Sequence, residues 1–338
     1  MRPGQAMAAP DWRWSWASEA RGYPYHPTVA RRYTRVITTP AAARSPRPGH
    51  PFVSLLTDWG VRDPSAAICR GVILGIAPDA LVVDVSHEVT KYDIRQGALM
   101  LWSALPFLPV GSHVAVIDPG VGTERRSIAL ENARGDYLIG PDNGLLMPAA
   151  KRLGGVQRVH AIESPQYLLP AVSATFHGRD VFAPAAAHLA QGVPLDNIGR
   201  QLDANELAIL DLPGPTIGRR RLEALVLYVD TFGNVKLSAL SADMQAAFEE
   251  LEPGDQVPLL VGKAKRAHTA VWARTFGDFP PGELLLVEDS YGRLSLARNQ
   301  ASAAELLKAM AYDVVILGDH AGSPEPAEVA EEALQAAE

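Results

Sequence analysis

One cysteine, Cys69, stands in 338 residues. A lone thiol excludes an intrachain disulfide and a thiolate zinc cluster, and it points to a reducing, cytoplasmic setting. No apolar run reaches the roughly 18 residues that a membrane-spanning helix needs. The best stretch, 97–110, is interrupted by Pro106 and Pro109. No Gly-x-Gly-x-x-Gly follows the first apolar run, so the pyrophosphate of a dinucleotide has no cradle. The net charge of −7 leaves the chain without the cationic footprint of a nucleic-acid binder. The spacing of a zinc hydrolase, H-E-x-x-H, is missing too; His177 and Asp180 give a single H-x-x-D pair, so no metal is expected. Disorder is excluded as the dominant state, because 47% of the residues are hydrophobic. The length fits two domains.

Charge is unevenly spread. Residues 1–50 hold eight Arg against Asp11 and Glu19, a balance of 8 − 2 = +6, and Asp319–Glu338 carry six acids with no Lys or Arg. Both ends read as poorly ordered tails. Arg31-Arg32 has the form of a twin-arginine export signal, but the stretch after it, 36–43, is too short and polar for an apolar h-region. The aromatic cluster Trp12-Arg-Trp-Ser-Trp16 reads as part of the same tail. The expected division is a basic extension at 1–50, an α/β domain at 51–212, a β domain at 217–318 and an acidic tail at 319–338.

Within the core, Phe52–Thr57, Leu81–Val85 and His113–Ile117 are short apolar runs that read as buried strands. Between the first two, Pro64 opens a helix with Ile68, Val72 and Ile76 on one face; between the next two, Asp93 caps a helix whose face is Ile94, Ala98, Leu101, Trp102 and Leu105. Strand–helix–strand–helix–strand predicts a mainly parallel sheet covered on both faces, with ligands at the strand C-termini. Asp58 and Asp118 lie at such ends. Ser127–Leu130 and Tyr137–Ile139 read as strands flanking a turn, and Asp180–Ala190 as an Ala-rich helix. Beyond Pro213-Gly-Pro215, short strands at Ala224–Val229, Val257–Val261, Leu284–Val287 and Leu294–Leu296 precede a helix at Ala303–Met310. These predict a smaller C-terminal antiparallel β domain or barrel.

Several segments bear chemistry. Asp58 has two acceptor oxygens, suited to a ribose diol or equally to a turn. In Asp118-Pro-Gly-Val-Gly-Thr-Glu-Arg125 the glycines let an acid and an arginine converge on an anion or a water, or close a tight turn. His177 precedes a helix that Asp180 could cap. Pro141-Asp-Asn-Gly144 is a turn signature. Phe232 could stack on a base, and Asn234 offers the donor and acceptor an adenine edge needs. His87, His113 and His188 read as structural.

Taken in order, TDWGVRDPS (57–65), VVDVSHEVTKYDIRQGA (82–98), AVIDPGVGTERRSIAL (115–130), GPDNGLL (140–146), ATFHGRDVFAPAAAHLAQG (174–192), DTFGN (230–234) and DSYGRLSLARNQASAAELL (289–307) resemble the S-adenosylmethionine hydroxide adenosyltransferases, or SAM hydrolases, relatives of the fluorinating and chlorinating enzymes. The resemblance implies attack of water or hydroxide on the 5′ carbon of S-adenosylmethionine, giving adenosine and methionine, with no cofactor. It implies a homotrimer whose sites lie between one subunit's N-terminal domain and a neighbour's C-terminal domain. By the same matching, Asp118 would accept and deprotonate the water, Arg125 would fix it and His177 would assist proton transfer. Asp58 would bind the ribose, Tyr92 would line the sugar pocket, and Asp63 and Ser65 would lie near the methionine end, with Asn143 among the binding residues. Asp230 and Ser290 would meet the amino acid, and Phe232, Asn234 and Arg298 the adenine. A carboxylate at 118 would repel a halide, which favours hydrolysis over halogenation. Three departures stand out: Val235-Lys-Leu-Ser238 replaces a spacer ending in Thr-Asn, Ser65 replaces a Tyr, and Ser295 a Glu. Lys236 suits a sulfonium substrate only if it points away. The readings from other classes are a non-catalytic SAM or adenosine sensor, and a metal hydrolase built on Asp118, Asp142, His177 and Asp180.

Overall fold

A computed structural model describes residues 50–212 and 214–319. The basic extension up to 49, with Trp12–Trp16 and Arg31-Arg32, lies outside the described residues, as do Pro213 and the acidic stretch from 320 onward. Six strands build the first sheet: β1 (Phe52–Thr57), β2 (Leu81–Ser86), β3 (Ser112–Val116), β4 (Ser127–Asn132), β5 (Tyr137–Pro141) and β6 (Val156–Ala161), in the spatial order β2-β1-β3-β5-β4-β6. The first four in that order run parallel. β4 pairs antiparallel with both β5 and β6, so the sheet is mixed, as the short turn between β4 and β5 requires.

Helices cover both faces. α1 (Ser65–Ile76) packs on one side, and α2 (Ile94–Ala104) with α3 (Met147–Arg152) on the other. A π-helical turn, Gly178–Phe182, runs into α4 (Ala183–Ala190) on the α1 side. Asp93 caps α2 as expected, accepting from the Gln96 N–H at 2.9 Å. The α1 face is a correction at Ile68 alone, since Val72 and Ile76 do pack against the core. Ala66, Cys69 and Ile73 are buried while Ile68 is exposed, because the small residues let the helix approach the sheet closely. β2 is a second correction: it is an edge strand, with Leu81 and Val83 exposed rather than buried on both faces. Asp180 is a third, since it lies inside the π turn and its carboxylate pairs with Arg179 rather than capping α4.

The second lobe contains β7 (Thr216–Gly218), β8 (Arg221–Val229), β9 (Val235–Leu240), β10 (Gln256–Val261), β11 (Arg266–Ala273), β12 (Leu284–Glu288), β13 (Arg293–Arg298) and β14 (Val314–Gly318), with short helices α5 (Ser241–Ala247) and α6 (Ala303–Leu307). Seven strands close into a barrel when β14 pairs with β8, and β7 adds to β8 at its rim. All pairings are antiparallel except β11 with β12. The lobes meet through Tyr312, whose hydroxyl donates to Asp93 at 2.6 Å and whose ring lies under the Arg95 guanidinium, 5.3 Å from the centroid.

One polar chain crosses the interior of the first sheet. Ser54 lies 2.7 Å from His113 Nδ1, and His113 Nε2 lies 3.1 Å from Asp136, with each residue 1% exposed or less. The carboxylate fixes the tautomer: Nε2–H donates to it and Nδ1 accepts from the Ser54 hydroxyl. Arg134 and Asn132 supply further donors to Asp136. Burial alone would raise the Asp136 pKa, but hydrogen bonds from His113, Arg134 and Asn132 outweigh it and hold the carboxyl well below the usual carboxylate range. Burial holds His113 low, so its imidazole is neutral. A group with a depressed folded pKa stabilises above its unfolded pKa, and that contribution is lost on acidification. Asp136→Asn is therefore expected to cost about 3 kcal/mol near neutral pH, with the gap to the native chain narrowing as pH falls through the acid range. Urea unfolding across pH measures both.

Candidate active site

β1 and β3 are parallel neighbours, with Thr57 paired to Val116, so their exit loops emerge side by side at the C-terminal edge of the sheet. Asp58 leaves one strand and Asp118 the other. Asp58 is buried and accepts the Tyr92 N–H at 2.8 Å on Oδ2, while the Lys91 ammonium donates to its carbonyl at 2.5 Å. Tyr92 adopts a left-handed backbone, φ +64°, and its ring is exposed.

Asp118 and Arg125 close the second loop. Nε of Arg125 donates to both carboxylate oxygens at 3.0 Å and Nη2 to Oδ2 at 2.5 Å. The remaining nitrogen, Nη1, donates to Ser127 Oγ at 2.7 Å, and the guanidinium sits over the Phe182 ring, 5.3 Å from its centroid. Nη2 also reaches His177 Nδ1 at 2.9 Å. A guanidinium only donates, so His177 Nδ1 must be the acceptor and its proton resides on Nε2. Burial first, and then the positive charge of Arg125, hold the His177 pKa below 6.5, while Asp118 pulls the other way. The imidazole is thus neutral. Two glycines make the approach possible. Gly122, at φ +79°, brings its backbone so close to Ala174 that a Cβ would lie 2.2 Å from that carbonyl oxygen, and a Cβ on Gly178 would lie 2.5 Å from the Trp59 ring.

Asp58, Trp59, Lys91, Tyr92, Asp118, Val121, Thr175, Phe176 and His177 line a cavity of about 180 Å³. Trp59 and Phe176 meet edge to face in its wall, 5.3 Å between centroids. Two roomier hollows, of about 720 and 960 Å³, contain none of the residues singled out from the sequence. The cavity therefore gathers Asp58, Tyr92, Asp118 and His177, with Arg125 braced behind Asp118.

The other predicted residues lie elsewhere. Asp63 is exposed and accepts the Ser65 N–H at 3.0 Å, an interaction that lowers its pKa. Asn143 spends its amide on backbone, donating to the Ile117 carbonyl at 2.9 Å and accepting the Leu145 N–H at 3.2 Å. In the barrel lobe, Asp230 accepts from the Phe232 and Asn234 N–H groups and from the Asn234 amide, each at 2.9 Å. Phe232 is 80% exposed, Ser290 is exposed, and Arg298 donates to the Gly282 carbonyl at 2.9 Å. None of these five lines the cavity. Lys236 is committed to Asp289 at 3.3 Å and Asp230 at 3.7 Å. Among residues the sequence did not single out, Trp59, Lys91, Thr175 and Phe176 form cavity wall and Ser127 anchors Arg125. An aromatic directly after Asp58 and another directly before His177 were the available signals.

The possible metal set does not assemble. Asp142 is paired with Arg126 and Asp180 with Arg179, and among the described residues no three His, Cys, Asp or Glu side chains converge as ligands would.

Residues 53–199 match the family model described as SAM hydroxide adenosyltransferase N-terminal domain, and residues 224–316 match the corresponding C-terminal domain. The chain is 46% identical over 259 residues to a protein named (R)-S-adenosyl-L-methionine hydrolase from Salinispora arenicola, spanning 76% of this chain and 94% of the relative. A protein of the same name from Thermus thermophilus is 40% identical over 267 residues, 75% of this chain and 94% of its own. A fluorinase from an Actinoplanes species is 30% identical over 285 residues, 77% of this chain and 94% of its own. Among solved structures, an uncharacterized conserved protein from Thermotoga maritima aligns with a TM-score of 0.73 at 33% identity, covering 79% of this chain and all of that one. With both family domains matched in order along one chain, and relatives this similar over nearly their whole length, the protein belongs to the SAM hydroxide adenosyltransferase family.

Proposed function

We propose that the protein hydrolyses S-adenosylmethionine to adenosine and methionine by attack of water on the 5′ carbon. The observation that carries this reading is the Asp118–Arg125–His177 constellation, which holds a carboxylate and a neutral imidazole at one small cavity. The similarity to relatives named as hydrolases supports it.

In this mechanism the C5′–O bond forms as the C5′–S bond breaks, and the electron pair of the latter leaves on the methionine sulfur. The sulfonium is already a good leaving group, so the protein must chiefly aim the water in line with it. Asp118 receives a hydrogen bond from the water and then its proton, which passes to solvent. A carboxylate is a weak base, but the attacking oxygen becomes strongly acidic as it bonds to carbon, so a weak base suffices late in the step. His177 presents Nε2–H, which orients the water as a donor; its Nδ1 is occupied by Arg125 and takes no proton. Asp58 binds the ribose hydroxyls through its remaining lone pairs, beside Tyr92. No Lewis acid is needed to expel a cationic leaving group, so the reaction is metal-independent and needs no cofactor.

The reading includes a homotrimer, working in the cytoplasm, in which a neighbour's barrel covers the cavity. A volume of about 180 Å³ is below the roughly 300 Å³ at which ligand pockets begin, so one chain offers only part of an enclosure. The exposed Phe232, with Asp230, Asn234, Ser290 and Arg298, would supply the rest from the adjoining subunit. Among the described residues no helix is long and apolar enough to cross a membrane.

Incubation with S-adenosylmethionine in ¹⁸O-water is expected to give labelled adenosine and methionine, unchanged by EDTA. Asp118→Asn should lower turnover by about 100-fold or more. Ligand bound without products would leave the sensor reading, and 5′-halogenated adenosine formed with chloride or fluoride the halogenase reading. The pH profile is a separate test. Protonation of His177 at Nδ1 would break its bond with Arg125, so the neutral ring is the competent form; because its pKa is lowered, kcat/KM should hold as pH falls to 6.5 and decline only below it. That acid limb should vanish in His177→Gln.

A further inference from the structure

Two turns of the barrel lobe are built alike. Asp230-Thr-Phe-Gly-Asn234 precedes β9, and Asp289-Ser-Tyr-Gly-Arg293 leads into β13. In each, the first residue's N–H donates to the fifth residue's carbonyl, at 3.0 and 2.8 Å, and the fourth residue's N–H donates back to the first carbonyl, at 2.9 and 3.0 Å. In each, Oδ1 of the Asp accepts the N–H groups of the third and fifth residues, at 2.9 to 3.0 Å. Oδ2 of both carboxylates faces one cation, that of Asp230 while also accepting the Asn234 amide at 2.9 Å. Lys236 Nζ lies 3.7 Å from Asp230 Oδ2 and 3.3 Å from Asp289 Oδ2.

The register explains how one side chain reaches both. On β9, Lys236 is paired with Tyr228 on β8 and with Ser295 on β13, so it stands between the turn that opens its own strand and the turn that opens the neighbouring one. An exposed ion pair would contribute little. Here the Lys236 side chain is 12% exposed, Asp289 7% and Asp230 23%, so removing the ammonium would leave two partly buried carboxylates facing each other.

We propose that Lys236 is a positioning residue for the barrel half of the substrate site: its ammonium ties together the two turns that carry Phe232 and Ser290. The inference rests on the reading that these residues meet S-adenosylmethionine. It also explains how a lysine is compatible with a sulfonium substrate, because its charge is already matched by two carboxylates.

The test combines kinetics with amide hydrogen exchange on the full chain. Lys236→Met is expected to raise KM for S-adenosylmethionine about tenfold while kcat changes less than about twofold, and Lys236→Arg should restore KM. Exchange should quicken in peptides covering 230–234 and 289–293, in Lys236→Met and in Asp289→Asn, with strands β10 and β14 unchanged. An unaltered KM in Lys236→Met overturns the proposal, as does an arginine variant no better than the methionine one. Unchanged exchange in both turns, or faster exchange throughout the barrel, overturns it equally. Absence of turnover in the native chain would instead refute the hydrolase reading, and the exchange measurement would still decide whether Lys236 ties the turns.

Discussion

Arg125 is the interaction on which the site depends. Its fork meets the carboxylate of Asp118 on the loop leaving β3, the hydroxyl of Ser127 on the first residue of β4, and the ring of His177 ahead of the π turn. Three separate segments are thereby fixed by one planar group. A lysine would offer a point charge and could not hold these directions at once. The same contact acts on the imidazole. By donating to Nδ1 it decides which imidazole nitrogen bears the proton, and its charge adds to burial in keeping that imidazole neutral.

The chain contains two polar trios that resemble one another on paper, and burial separates them. Ser54, His113 and Asp136 have the residue types of a nucleophilic triad, yet all three are sealed inside the sheet and no substrate can reach them. Their hydrogen bonds secure β1 and β3 to the turn before β5. Asp118, Arg125 and His177 have less familiar types, but two of them form cavity wall. Access to a cavity, more than the identity of the side chains, distinguishes a chemical group from a structural one.

The parallel strands, the Asp93 cap and the meeting of Asp58 with Asp118 were legible in the sequence, because short apolar runs ending in Asp at the same sheet edge leave few arrangements. The face of α1 was not. Ile68 looked like core by spacing, but Ala66 and Cys69 allow a closer approach to the sheet and took the inner face. Nor was the exposure of β2, since an apolar run carries no mark of edge position. β6, β9 and β11 were missed where polar residues interrupt the pattern, as at Lys236, whereas β14 was passed over although its apolar, β-branched run marked a strand. In the site, the motifs brought out the charged residues, while Trp59 and Phe176 were passed over because an aromatic beside a motif reads as packing until its cavity is known.

The closure of the barrel has a consequence for biosynthesis. Its first principal strand, β8, begins at Arg221 and finds one of its two neighbours within the ring in β14, Val314–Gly318. Nearly a hundred residues must therefore leave the ribosome before the ring can shut. The strands of the first sheet are all in place by Ala161, so that lobe can gain its core while the barrel is still an open, incomplete sheet. Long-range closure of this kind is slow, and it exposes strand edges while it waits. Quality control during translation thus falls most heavily on the second lobe, where a late truncation removes the strand that closes the ring.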